Sequence, residues 1–281
     1  MARRRKYSYT KAKRERYLRE NRGQGNGLNY KPWLNVQDLA SLGRSTRVYS
    51  IKTGRTHHFL SDLETNYFYL FDWQEKVIDI REQYPLQREI TLDLARKHVI
   101  KHPQDNITKE FIDLTTDFLL TLVDRNGNHT FSAITVKYCK DLDNKRVLEK
   151  FEIERRYWAL KSVEWRIVTE RDLPIDIVKN IKWCRSFMDE KSEKIDQIQV
   201  TSLLQCFSSA DKTTNLVTIS TQQDSLLSLE HGSTLKLIKY LLANKQIYIK
   251  KACCWMTEAT VQDLIINESK VNLLNRGCHV Y

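Results

Sequence analysis

Apolar residues recur along 61–73 at Leu63, Tyr67, Leu70 and Phe71, a spacing that predicts an amphipathic helix beginning at Ser61. Val77-Ile-Asp-Ile80 predicts a strand, Ile90 to His98 a short helix or its flank, and Leu114 to Val123 a strand rich in β-formers. Asp124-Arg-Asn-Gly-Asn128 places Asn-Gly inside a turn, so Thr130 to Tyr138 predicts the returning strand of a hairpin. Asp143 to Ser162 is a charged segment with Val147, Phe151 and Trp158 on one side, as in a half-buried helix. Glu164 to Thr169 predicts a further strand, and Pro174 opens a helix to about Met188. Upstream, the segment from Gly43-Arg-Ser-Thr-Arg47 through Lys52-Thr-Gly-Arg55 predicts a strand, a turn and a strand. The order α-β-β-β-α-β predicts an α/β fold, a mixed sheet flanked by helices.

Beyond 188 the pattern changes. Asp189-Glu-Lys-Ser-Glu-Lys-Ile-Asp196 is charged and polar and is expected to separate two domains. The rest predicts helices over 195–207 and 232–243 and a strand at Gln246-Ile-Tyr-Ile-Lys250, an order that suits a winged-helix module. The expected organisation is a basic arm over 1–27, a catalytic domain over 28–188 and a mainly helical interaction domain over 189–281.

Charge narrows the partners. The net charge is +11, and residues 1–22 hold ten Lys/Arg against Glu15 and Glu20, a net +8. Such a balance points to a polyanion, nucleic acid before an anionic membrane surface. An arm that tracks phosphates and a solvated tail both suit residues 1–22. No apolar run reaches the about 18 residues of a membrane span, and no secretory signal follows the basic start. Six cysteines form no C-x-x-C pair, so reduced thiols in a cytoplasmic protein are expected, and Cys278-His279 is a lone pair rather than a zinc motif.

The hairpin carries the candidate chemistry. Thr135 and Lys137 share a strand face with Val136 on the other, and the Asn-Gly turn brings Asp117 near them. A carboxylate that holds a divalent metal beside a lysine suits phosphodiester hydrolysis; the same pair suits a cross-strand salt bridge. Two more acids raise the odds of such a site. Glu64 closes Ser61-Asp-Leu-Glu64, which is also a capping box. Glu154 lies on the 143–162 helix, where a solvated face is the plainer account. His57 and His58 suit a phosphate contact or a buried hydrogen-bonded histidine.

The element order, with Asp on the second strand and x-x-Lys on the third, resembles the core of restriction endonucleases. Several strings resemble TnsA more closely, the endonuclease subunit of heteromeric bacterial transposases: Arg22-Gly-Gln-Gly25, Pro32-Trp-Leu34, Ser61-Asp-Leu-Glu64, Asp79-Ile-Arg-Glu-Gln83, Thr116-Asp-Phe-Leu119, Val136-Lys137 and Glu154-Arg-Arg-Tyr-Trp158. The likeness covers roughly 21–185.

The resemblance implies Asp117 as metal ligand, Lys137 as catalytic lysine, and Glu64 and Glu154 as further active-site acids. It implies one or two Mg²⁺, with Mn²⁺ able to substitute, held by Asp117, Glu64 and the Val136 backbone carbonyl. Thr135 departs from the pattern, since the family usually presents Gln there, a stronger ligand than a hydroxyl. Cleavage of the non-transferred strand at the 5′ ends of a mobile element is implied. So are double-stranded DNA at transposon ends, a DDE-type (TnsB-like) transposase and an ATP-dependent (TnsC-like) regulator. The chain itself has no G-x-x-x-x-G-K-[ST] loop. Arg3, Arg4, Arg5, Lys6, Arg44, Arg47, Lys52, Arg55 and His57 are the expected DNA contacts. A non-catalytic DNA-binding adaptor and a stand-alone restriction- or junction-type nuclease are the rival readings.

Overall fold

Thr10 caps the first helix, accepting the Lys13 N–H at 3.1 Å, and α1 runs over Lys11–Arg19. The computed structural model describes residues 8–38, 44–188, 196–249 and 258–267. Tyr17 is fully buried on α1, edge-on to Trp33, with the Arg22 guanidinium 3.8 Å from its ring centre. Arg22 in turn pairs with Asp38 at 2.5 Å. Ahead of α1, the Tyr9 N–H donates to Asp105 at 2.7 Å, its hydroxyl donates to Asp113, and Arg14 reaches Asp113 at 3.0 Å. The expected free arm over 1–27 is therefore folded onto the body from Tyr9 onward, because aromatic burial and ion pairs anchor it. Arg3, Arg4, Arg5 and Lys6 lie outside the described residues.

Next, β1 (Thr46–Ser50) and β2 (Arg55–Phe59) form the antiparallel pair predicted around the second basic patch. Then follow α2 (Asp62–Trp73), β3 (Val77–Pro85), α3 (Arg88–Lys97), β4 (Thr115–Val123), β5 (His129–Val136), α4 (Lys145–Leu160) and β6 (Glu164–Val168). The sheet order is β3-β4-β5-β6, with the last pair parallel and the others antiparallel. The parallel step requires a crossover, which α4 supplies. At the β4–β5 turn Gly127 takes φ 82°, and Asp124 accepts the backbone N–H groups of Asn126 and Asn128 at 2.8 and 2.9 Å.

Each face of the sheet buries a helix layer. Leu63, Tyr67, Phe68 and Phe71 of α2 pack with Ile80, Phe118, Leu120, Ile134 and Val136. Leu94 and Ala95 of α3 and Ile153, Tyr157 and Trp158 of α4 pack with Leu119 and Ala133 on the other side. Consecutive strand residues thus serve opposite layers. This is the predicted α/β architecture, a mixed sheet flanked by helices.

The chain divides between Leu173 and Pro174, ahead of the charged segment expected to separate the domains. The second unit holds α5 (Ile175–Cys184), α6 (Gln197–Ser209), α7 (Leu216–Leu226), α8 (Ser233–Ala243) and an antiparallel pair, β7 (Ile247–Ile249) with β8 (Leu264–Ile266). α5 belongs there because Val178, Ile181 and Cys184 are buried and the helix packs against α8. α7 is rich in Ser, Thr and Gln, which blurs its apolar period; it was not legible in the pattern, although Leu216 and Ile219 are buried. Among the described residues no helix is long and apolar enough to cross a membrane, and Cys139, Cys184 and Cys206 are free thiols. Cys278-His279 lies outside the described residues.

Candidate active site

Three carboxylates, Glu64 and Glu154 buried and Asp117 half-buried, lie where β3, β4 and β5 approach the first turn of α2 and the middle of α4. Asp117, on β4, accepts the Val136 N–H at 2.7 Å through Oδ2 and the Gln83 side-chain amide at 3.3 Å through Oδ1. The same amide lies 3.5 Å from Glu64 Oε2, at the limit of a hydrogen bond. Gln83 therefore stands between the two acids, and the Thr115 hydroxyl donates to its Oε1 at 3.1 Å.

Gln83 is also the break in the β3 pleat. Its φ is 47°, a left-handed value that costs a residue with a Cβ roughly 1 kcal/mol. It lies opposite Asp117, between the Glu82–Phe118 and Tyr84–Thr116 pairs. Strict alternation would put Asp117 on the α4 side with Leu119. Instead both Asp117, through Gln83 and Glu64, and its neighbour Phe118 serve the α2 side.

Glu64 makes the capping pair with Ser61 that the sequence offered. The Ser61 hydroxyl accepts the Glu64 N–H at 3.1 Å and donates to Oε1 at 2.8 Å, and the Leu60 N–H donates to Oε2 at 3.0 Å. Those bonds leave lone pairs over, since a carboxylate offers about four acceptor sites. Burial and the charge of Asp117 push the Glu64 carboxyl up to about 8. Burial likewise raises Asp117 to about 6, against the opposing pull of the Val136 N–H, Gln83 and Lys137.

Glu154 approaches from α4. One oxygen, Oε1, accepts the hydroxyls of Thr116 and Thr135, both at 2.6 Å. Trp158 and Trp165 each donate an indole N–H to those threonines, at 2.7 and 3.0 Å. Burial pushes Glu154 up to about 7. Thr135 thus faces Glu154, not the Asp117–Glu64 pair that it was expected to join as a ligand. Lys137 follows the end of β5, and its ammonium lies 3.4 Å from Asp141, about one-third exposed. Gln83, Thr116 and Asp141 were not singled out in the sequence; Gln83 stood only within one of the strings that carried the resemblance.

Residues 74–170 match the family model described as "TnsA-like endonuclease N terminal", and 172–250 match "TnsA endonuclease C terminal". The chain is also 38% identical over 241 residues to the Transposon Tn7 transposition protein TnsA of Escherichia coli, covering 84% of this chain and 85% of that protein. The chain belongs to the TnsA endonuclease family. It is accordingly a DNA endonuclease, and the two family segments meet where the structure divides, at Leu173–Pro174.

As a TnsA-family site, the cluster offers carboxylates that a hard divalent ion could use. Among the described residues no three His, Cys, Asp or Glu side chains form a metal-binding group, which leaves no zinc-type cage. Mg²⁺ is satisfied by one or two carboxylates, with water and substrate phosphate completing the shell. Asp117 and Glu64, 3.3 and 3.5 Å from a shared amide, are two carboxylates that could meet that requirement.

Several expected DNA contacts are engaged inside the fold. Arg55 is buried, donating to both oxygens of Glu82 at 2.8 and 2.5 Å and to the Ile80 carbonyl at 2.7 Å. His57 is fully buried between Glu82 at 2.8 Å and Thr53 at 2.8 Å. These charges hold Glu82, whose carboxyl lies well below the usual range because His57 and Arg55 outweigh its burial. Neither side chain is available to a phosphate. Lys52 donates to the carbonyls of Phe71 and Gln74 at 3.3 and 2.5 Å. Arg44 and Arg47 are exposed, and Arg47 donates to Gln37 at 3.2 Å.

Proposed function

We propose that this chain hydrolyses the non-transferred DNA strand at the 5′ ends of a mobile element, in a Mg²⁺-dependent reaction beside a DDE-type transposase. The observation that carries the proposal is the Gln83-bridged pair of Asp117 and Glu64, with Lys137 close enough for its charge to favour ionised Asp117. The relative from Escherichia coli is by its name a transposition protein of Tn7.

Asp117 and Glu64, with the Val136 carbonyl, would hold one or two Mg²⁺. A metal bound there supplies polarisation of the scissile phosphate and a more acidic water. The Val136 N–H fixes the rotation of the Asp117 carboxylate, leaving Oδ1 toward Gln83 and Glu64. Lys137 offers its ammonium to the charge that develops on the phosphate or orients the attacking water. Glu154 holds Thr116 and Thr135, the residues before Asp117 and Val136, and so sets the spacing of the two strands under the metal ligands.

In the second unit, helices followed by the β7–β8 pair suit a winged-helix interaction module, and the ATP-dependent regulator is its proposed partner. Arg44, Arg47 and Arg3 to Lys6 remain as proposed DNA contacts.

Cleavage of DNA carrying element ends, with and without the transposase partner, tests the reading. Mg²⁺-dependent nicking at the 5′ ends is expected, with loss in Asp117→Ala and Lys137→Ala. Cutting retained in both variants would overturn the site. Binding without cutting in every partner mixture would make the chain an adaptor, and vigorous cutting alone would make it a stand-alone nuclease.

A further inference from the structure

A second concentration of charge lies one helical turn from Glu154. α4 begins at Asn144, which caps the Arg146 N–H at 2.9 Å, and its first turn contains no acid. Lys145 and Arg146 occupy that turn, and Lys150 follows on the next. Cations at the positive end of a helix add to the local potential where acids would relieve it. Lys150 also sits four residues before Glu154, on the same helix face and about 6 Å along the axis.

The 101–112 segment faces this helix end, and a cleft of about 330 Å³ lies between them, lined among others by Lys101, Asp105, Asn106, Lys109, Arg146 and Lys150. Asp105 is the one carboxylate among the described lining residues, and it is consumed. Its Oδ1 accepts the N–H groups of Ile107 and Thr108, both at 2.9 Å, and its Oδ2 accepts that of Tyr9 at 2.7 Å. Arg146 spends one nitrogen on Glu149 at 2.8 Å. Among the described residues the ammonium groups of Lys101, Lys109 and Lys150 have neither ion pair nor hydrogen bond. Lys150 is half-buried, and burial, Arg146 and Lys137 together hold its pKa below the ordinary lysine value. A desolvated, unpaired cation with like charges around it is a standing cost to the fold. An anion in the cleft would remove that cost.

We propose that this cleft receives a backbone phosphate of the DNA being cut, beside the scissile one, with Lys109 and Lys150 as its principal contacts. The proposal rests on the DNA substrate of the nuclease reading. It adds the surface over which the strand leaves the Asp117–Lys137 site, along the N-terminal end of α4.

The test is fluorescence anisotropy of the full chain with a labelled random-sequence DNA duplex, in EDTA, across a NaCl series. Each phosphate contact contributes about 0.9 to the slope of log K against log salt. Lys150→Gln and Lys109→Gln are each expected to flatten the slope, by about 0.9 together in the double variant, and to weaken binding equally for all sequences, while Lys150→Arg keeps the slope. Lys150→Gln should leave thermal melting unchanged or higher, because it removes an unpaired cation; a merely structural lysine would lower it. Should Lys150→Gln lower melting, the exposed Lys109 still decides through its own slope. A double variant with the wild-type slope and affinity would overturn the cleft and leave the nuclease reading intact. A wild-type chain that binds no duplex at any salt would likewise overturn the cleft, while the nuclease reading is decided separately by cleavage beside the transposase.

Discussion

The Thr135 hydroxyl donates to Glu154 Oε1 at 2.6 Å while accepting the Trp165 indole N–H at 3.0 Å. The position where the family usually presents Gln is thus wired into the α4 side of the site through a buried acid. Thr135→Val keeps the shape but strands the indole N–H and removes one donor from Glu154. A loss of about 1–3 kcal/mol in stability is expected, read as a shift in urea midpoint at constant slope. A variant as stable as the wild type would show that the hydroxyl is not a structural link.

Protonation of the site should be visible in stability. Glu64 and Asp117 titrate near 8 and 6 in the folded chain, above their ordinary 4.5 and 3.8. The folded state then binds protons more tightly than the unfolded one, so their favourable contribution is complete below about pH 4 and is lost as pH rises towards 8. His58 and His102, held below the usual imidazole value by burial, act in the opposite sense over part of that window. The comparison that isolates the site is therefore wild type against Glu64→Gln without metal. The variant is expected to gain on the wild type between pH 5 and 8, read from urea midpoints. A constant difference across that range would contradict the raised carboxyl.

Gln83 separates backbone from side-chain effects. At φ 47° glycine is unstrained and alanine is not. Gln83→Gly is expected to be more stable than Gln83→Ala by roughly 1 kcal/mol, although both delete the amide between Asp117 and Glu64. Both should lower cleavage activity, since the amide that links the two acids is gone. Equal melting temperatures for the two variants would argue against the left-handed backbone.

The buried Arg55–Glu82–His57 group makes a contrasting prediction for a basic residue expected at the DNA surface. Arg55→Ala leaves a fully buried carboxylate short of its bidentate partner. A loss of about 3–5 kcal/mol is expected in chemical unfolding. If Arg55→Ala instead melts like the wild type and weakens DNA binding, the residue works at the surface.

The sequence alone determined most elements of the first unit and the hairpin. Their periods depend on local spacing, and the Asn126-Gly127 turn leaves β4 and β5 no other convenient pairing. That was enough to bring Asp117 to the residues around Lys137, with Glu64 and Glu154 as candidates for the same site. Tertiary structure decided everything that depends on contacts far apart in the chain. The left-handed break at Gln83 accompanies an amide set between Asp117 and Glu64, and Glu154 joins Thr116 across 38 positions of sequence. The basic residues show the same limit. Arg55 and His57 are buried because Glu82, on another strand, is there to receive them, whereas Lys150 has no such acid and keeps its charge for something outside the chain. Charge is local to the sequence; whether a charge is already spent is a property of the fold.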